Sequence, residues 1–217
     1  MESSLQQRNM VLDEIMFNRH SIRSFSDDSP SKDEIEAIIL AGRLAPFAQL
    51  AVAGKEDYRR FIVVSKSSPI MTQLAELVKV KMKSLTEILA HRMETDELFR
   101  SSGRPFYKTI SASAINGVHG IGTAPYYLIV AERKGIPDSA QQSIAHCLQN
   151  MWLKATALGL GFHLVSATGQ LAEDQDFCAL LNLPHGEYAM DGCAIGYPKG
   201  IPSAKHVKDI PNLVTWL

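Results

Sequence analysis

One stretch constrains this chain more than any other. From Ile144 onward, Leu148, Met151, Trp152, Ala155 and Leu158 recur at helical spacing, and apolar character reaches around much of the circumference. Ala145 and Ala155 are small enough for close helix contact, and Gly159 ends the run. Asp138 or Ser139 supplies the cap. Such a helix cannot lie on a surface, so it is either central or part of a subunit interface. Short strand-like runs flank it, Tyr126–Ala131 before and Phe162–Ser166 after.

Further elements follow from the same periodicities. Val11, Leu12, Ile15 and Met16 predict an amphipathic helix over about Gln7–Phe17. Ser31 and Glu34 form a capping box before Ile35, Ile38, Ile39 and Gly42, and Pro46 stops that helix. Phe61–Val64 reads as a buried strand, Pro69 to about His91 as a helix, and Tyr188–Ile195 as a fourth strand. A short helix carrying Phe177, Leu180 and Leu181 follows Gly169, and Pro184-His185-Gly186 is a turn. Arg92–Thr123 contains the break Gly103-Arg104-Pro105 and a glycine-rich passage from Gly117 to Gly122, and reads as a flexible connection or a lid over a pocket. The proline-punctuated tail from Lys199 to Leu217 carries Val214, Trp216 and Leu217, apolar residues that a partner subunit could cover.

Composition excludes several functional classes. Twenty-two Lys and Arg against 23 Asp and Glu give a formal net charge of −1, so no global field draws the chain to nucleic acid or an anionic membrane. No apolar run has signal-peptide or membrane-spanning length, which makes a soluble cytoplasmic protein the expectation. Cys147, Cys178 and Cys193 are odd in number and far apart, as expected of buried thiols and not of disulfides or a zinc site. Seven histidines include no metal-ligand spacing, the serines no G-x-S-x-G elbow, and the cysteines no nucleophile signature.

The chain does carry anion ligands. Arg19-His20-Ser21-Ile22-Arg23-Ser24-Phe25 places two guanidiniums, an imidazole and a hydroxyl within five residues. Ile22 and Phe25 alternate with the polar residues, which predicts an extended segment with Arg19, Ser21 and Arg23 on one side. Lys199, Lys205 and Lys208 lie near the other end. With no nucleophile or metal of its own, the chain has the means to hold a phosphorylated cofactor that carries the chemistry.

In this order and spacing, the motifs resemble the FMN-dependent nitroreductase family. Arg19 to Phe25 looks like its R-x-S-x-R-x-F signature. The capped helix ending in Ala45-Pro46, Ala124-Pro125 before a strand, Leu158-Gly159-Leu160-Gly161-Phe162, and Gly196-Tyr197-Pro198 with downstream lysines match further along. The resemblance covers nearly the whole chain. It implies a single α+β domain over 1–217 with a mainly antiparallel central sheet flanked by helices, a variable helical or lid segment at about 79–123, and an intertwined homodimer with FMN at the interface. It also implies NADH or NADPH as reductant and a small electron acceptor such as a nitroaromatic or quinone. Carried over by position, Arg19 and Ser21 contact the FMN phosphate, Arg23 the ribityl chain or pyrimidine edge, and His20 contributes through its backbone. Pro46, Phe47 and Ala48 reach the partner's flavin, Val165, Ser166 and Ala167 lie near N5, and Lys205, or else Lys208, closes on the phosphate. No side chain is assigned as a catalytic acid. Many relatives carry Ser and Asn after the Ala-Pro pair; here Phe47-Ala48-Gln49 stands there, so Phe47 is expected to pack on the ring or narrow the pocket. The competing readings are a family member acting on flavin itself or on a halogenated substrate, a flavin storage or sensor protein, and a structural dimer without cofactor.

Overall fold

The computed structural model describes residues 2–47, 56–200, 202–203 and 213–216. The elements are α1 (Glu2–Asn18), α2 (Lys32–Arg43), β1 (Arg59–Ser65), α3 (Pro69–Thr95), α4 (Glu97–Ser102), α5 (Arg104–Asn116), β2 (Tyr126–Arg133), α6 (Ala140–Ala157), β3 (Gly161–Val165), a 3-10 turn (Ser166–Leu171), α7 (Gln175–Leu180) and β4 (Tyr188–Gly196). The sheet runs β1-β2-β4-β3 and every neighbouring pair is antiparallel, which makes this an α+β fold. β2 and β4 are central and buried on both faces, which is why they read as apolar runs and not as alternating ones.

Alternation along these strands divides the core in two. Tyr127, Ile129, Val165, Met190 and Ala194 face α3, α5 and α7. Leu128, Val130, Phe162, Cys193 and Ile195 face α2 and α6. The stripe that opened the sequence reading, with Ile144, Cys147, Leu148, Met151 and Ala155 all buried, makes α6 the central helix. Gly42 lets α2 approach it, since a Cβ there would lie 2.8 Å from Met151 Cγ and 2.9 Å from Cys147 Sγ. All three cysteines are buried and free.

Several expectations change. The capping box forms as read, Glu34 N–H donating to Ser31 Oγ and Ser31 N–H to Glu34 Oε2. Ser139 occupies the α6 cap position, but its hydroxyl donates to the Pro137 carbonyl and caps nothing. Arg92–Thr123 is not a plain connection, because it contains the end of α3, then α4 and α5. Gly103-Arg104-Pro105, read as a break, instead starts a helix: proline in the first turn lacks only an N–H that would have no helical partner. Asp96 caps α4 by accepting from Phe99 N–H at 2.9 Å. The glycines after α5 form a turn, with Gly117, Gly120 and Gly122 all at positive φ. The α1 helix starts earlier than expected, and Met10, Val11, Leu12, Met16 and Phe17 on it are exposed.

Candidate functional site

After α1 the chain straightens and runs along the outer edge of β3. Ser21 bridges Phe162 in parallel, and Ile22 N–H donates to the Phe162 carbonyl at 3.0 Å. Phe25 bridges Pro198, with Ser26 N–H donating to the Tyr197 carbonyl at 2.9 Å and Lys199 N–H to the Ser24 carbonyl at 3.0 Å. The chain can lie this close because Gly161 has no Cβ; one there would sit 2.7 Å from Ile22 Cγ2. Ile22 and Phe25 are half-buried while Ser21, Arg23 and Ser24 are exposed, as the alternation predicted.

The two arginines take different surroundings. Arg19 lies 4.3 Å over the Trp152 ring, which in turn stacks on Phe162 at 5.1 Å. Trp152 Nε1–H donates to the His20 carbonyl at 3.1 Å, so that backbone oxygen is already engaged. Arg23 enters a cleft of about 500 Å³ together with Val165, Ser166 and Ala167, at the point where β3 gives way to the 3-10 turn. Met82, Leu85 and Leu89 from α3 and Phe106 and Ile110 from α5 form its apolar walls. Among the described residues the remaining polar lining is Thr109, Ser113, Gln170, His119 and His163, with no carboxylate. Among the described residues neither Arg19 nor Arg23 forms an ion pair. A guanidinium with no ion-pair partner among the described residues, set in an apolar cleft, suits a planar ligand with an anionic end. His163 feels the same field: burial first, then the charges of Arg23 and His119, push its imidazole down to about 4, so it is neutral at physiological pH.

The structure does not gather every predicted residue in this cleft. Pro46 and Phe47 collect around Arg59 instead. The Pro46 carbonyl accepts from Arg59 Nη2 at 3.1 Å and from Ser143 Oγ at 3.2 Å, and the Phe47 ring lies 4.4 Å from that of Tyr58. Arg59 also donates to the carbonyls of Gly42 and Ala45 and to Glu132, at 2.5 Å for the last. Ala48 and Lys205, with Lys208, lie outside the described residues.

Against this geometry, a family model for the Nitroreductase family matches residues 16–197. The chain belongs to the nitroreductase family. By sequence, no curated protein matches it. Solved structures do. A nitroreductase with bound FMN from Bacteroides fragilis NCTC 9343 superposes with a TM-score of 0.69 at 19% identity, covering 95% of this chain and 98% of that one. A BluB-like flavoprotein from Clostridium difficile 630 gives 0.68 at 20%, covering 95% and 98%. Iodotyrosine deiodinase bound to FMN and 3-iodo-L-tyrosine gives 0.67 at 18%, covering 94% and 100%. At these identities what is shared is the nitroreductase fold, an oxidoreductase scaffold.

Within that nitroreductase scaffold, sequence reasoning missed most of the cleft. His119 and His163 carry no motif. Phe106, Ile110 and Ser113 recur at helical steps along α5, a signal that was present but masked by the Gly103 and Pro105 punctuation. Among the described residues no helix is long and apolar enough to cross a membrane, and no group of three or more His, Cys, Asp or Glu could hold a metal ion.

Proposed function

We propose that this chain is an FMN-dependent oxidoreductase that uses NADH or NADPH as reductant and reduces a small electron-poor acceptor such as a nitroaromatic or quinone. The observation that carries the proposal is the convergence of Arg23 with Val165, Ser166 and Ala167 on one apolar cleft that has no carboxylate among its described residues. FMN, when bound, supplies hydride-transfer chemistry at its N5. The residues of the chain hold and tune it. Arg19 and Ser21 present donors to the phosphate, with Lys205 as the further cation. Arg23 holds a fixed positive charge at the pyrimidine edge, which favours the anionic reduced ring and raises its potential. The walls contributed by α3 and α5 exclude water from the ring face, and α4–α5 serve as a lid.

The active form proposed is a homodimer. Leu5, Met10, Val11, Leu12, Met16 and Phe17 on α1 are exposed, and Trp216 in the tail is 92% exposed, more apolar surface than an isolated chain tolerates well. In such a dimer the Pro46–Phe47 segment, which does not line the cleft of its own chain, reaches the partner's flavin.

The test is spectroscopic. The purified protein, titrated with FMN and then with NADH or NADPH without oxygen, is expected to bind the flavin and bleach it. Failure to bind sinks the cofactor reading, whereas binding without bleaching by either nucleotide points to storage or sensing. Arg23→Ala is expected to raise the Kd for FMN about tenfold and to lower the flavin potential, since a charged hydrogen-bonding partner is lost. Unchanged affinity and potential would remove Arg23 from the site.

A further inference from the structure

Behind the cleft lies a buried chain of hydroxyls. Thr168, fully buried in the 3-10 turn, donates its hydroxyl proton to the Val165 carbonyl at 2.6 Å. Tyr127, fully buried near the start of β2, forms a hydrogen bond with the same Thr168 Oγ1. Thr168 has one proton and it is already committed, so Tyr127 must be the donor and the direction is fixed as Tyr127 to Thr168 to Val165. Burial raises the Tyr127 pKa far above its ordinary value, which keeps the phenol protonated at any physiological pH. The chain exists because Gly192, opposite Val165 in the register, has no side chain; a Cβ there would land on both hydroxyls.

The Val165 carbonyl and the Ser166 N–H belong to one planar peptide unit, and the bond is trans, as the cis peptide lies elsewhere, at Ile136-Pro137. In a trans unit the two point in opposite directions. A carbonyl drawn inward to Thr168 therefore turns the Ser166 N–H outward, and Ser166 is exposed on the cleft lining. We propose that Tyr127 and Thr168 are positioning residues for the cofactor, their hydroxyl chain aiming the Ser166 N–H into the cleft as the donor to the N5 edge of a bound flavin. This rests on the reading of the cleft as an FMN site. Neither residue touches the ligand; both act through the peptide between Val165 and Ser166.

The experiment uses the full chain loaded with ¹⁵N-labelled FMN and reads the N5 resonance, the Kd for FMN and the unfolding midpoint in urea. Thr168→Val, nearly isosteric, removes both hydrogen bonds and is expected to shift the N5 resonance and raise the Kd about fivefold to tenfold. Tyr127→Phe removes only the outer bond and should shift N5 in the same direction by less. Thr168→Ser, which keeps the hydroxyl, should restore the wild-type resonance. If Thr168→Val fails to fold, Tyr127→Phe, which keeps the ring, carries the test alone. Wild-type N5 resonances in the variants, with only the unfolding midpoint lowered, would overturn the proposal and leave the chain a support of the fold. Wild-type protein that binds no FMN would overturn the cofactor reading itself, and the positioning role with it.

Discussion

The two faces of the sheet are built from the same strands and do opposite things. On the α2–α6 face, Ile38, Ile144, Leu148 and Met151 close over Leu128 and Val130, Gly42 brings the helices together, and the Arg59–Glu132 pair seals one end, its side chains 3% and 0% exposed. On the α3–α5 face the packing over Tyr127 and Ile129 is equally dry at the centre, but it opens at His163 and Arg23 into the cleft. β2 and β4 serve both faces by alternation, so whatever rigidity the closed face has is transmitted one residue along to the open one. Each face also anchors one turn from behind, by an ion pair at Pro46 and by neutral hydroxyls at Val165. The lesson is that the closed face stabilises while the open face, in the function proposed, binds, and substitutions should sort accordingly.

The largest effect is expected at Glu132. Burial pushes its carboxyl up while the Arg59 charge pulls it back. With a guanidinium 2.5 Å away we take the pair as ionised, because Arg59 has no neutral form to offer. Glu132→Ala strands a buried positive charge, and urea unfolding should show a loss of about 3–5 kcal/mol. A loss under about 1 kcal/mol would mean that the carbonyls of Gly42, Ala45 and Pro46 suffice for Arg59, and that the closed face does not depend on the pair.

These anchors explain what the sequence could and could not disclose. Elements with an uninterrupted period, α6, β2 and β4, were legible, as was the Ser31 capping box, because each is a local pattern. Alternation at Arg19–Phe25 was enough to predict an extended segment with Ser21 and Arg23 outward and Ile22 and Phe25 inward, but not that Arg19 turns over the Trp152 ring. What was hidden depends on register. Arg59 and Glu132 are 73 residues apart and Tyr127 and Thr168 are 41 apart, and only the pairing of antiparallel strands brings them together. The α5 helix was hidden for a different reason, since Pro105 has opposite meanings inside a helix and at its start.

Next in size is a contrast in titration. His163 on the open face is held near 4, against an ordinary 6.5, so between those values the unfolded chain binds a proton that the folded one refuses; stability falls as pH drops through that window. Asp191 shares the closed-face alternation of Ala189 and Cys193, and burial raises it to about 6 from 3.8. There the folded chain holds the extra proton, and stability rises as pH drops from about 6 toward 3.8. Each contribution is at most about 3 kcal/mol, and the two oppose each other. Relative to wild type, Asp191→Asn should therefore lose stability more steeply between pH 6.5 and 4, and His163→Gln less steeply, in urea midpoints measured across that range. Parallel profiles for the two variants would show that the faces do not differ in this respect.

The smallest effects come from volume, and they separate packing from lining. Gly42→Val forces a branched side chain into Met151 and Cys147, neither of which has space to retreat on a fully buried helix face. Overpacking of this kind should cost about 2 kcal/mol. Leu85→Ala removes as many atoms as Gly42→Val adds, yet Leu85 is half-buried on a cleft that is already open, so no enclosed void is created. Its cost should be about 1 kcal/mol, the transfer of a few partly exposed carbons without the cavity penalty. Urea unfolding of the two variants decides the matter by their ratio. If Leu85→Ala proves the more damaging, the walls of the cleft carry the stability of the fold, and α3 and α5 cannot open and close over a ligand without unfolding part of the core.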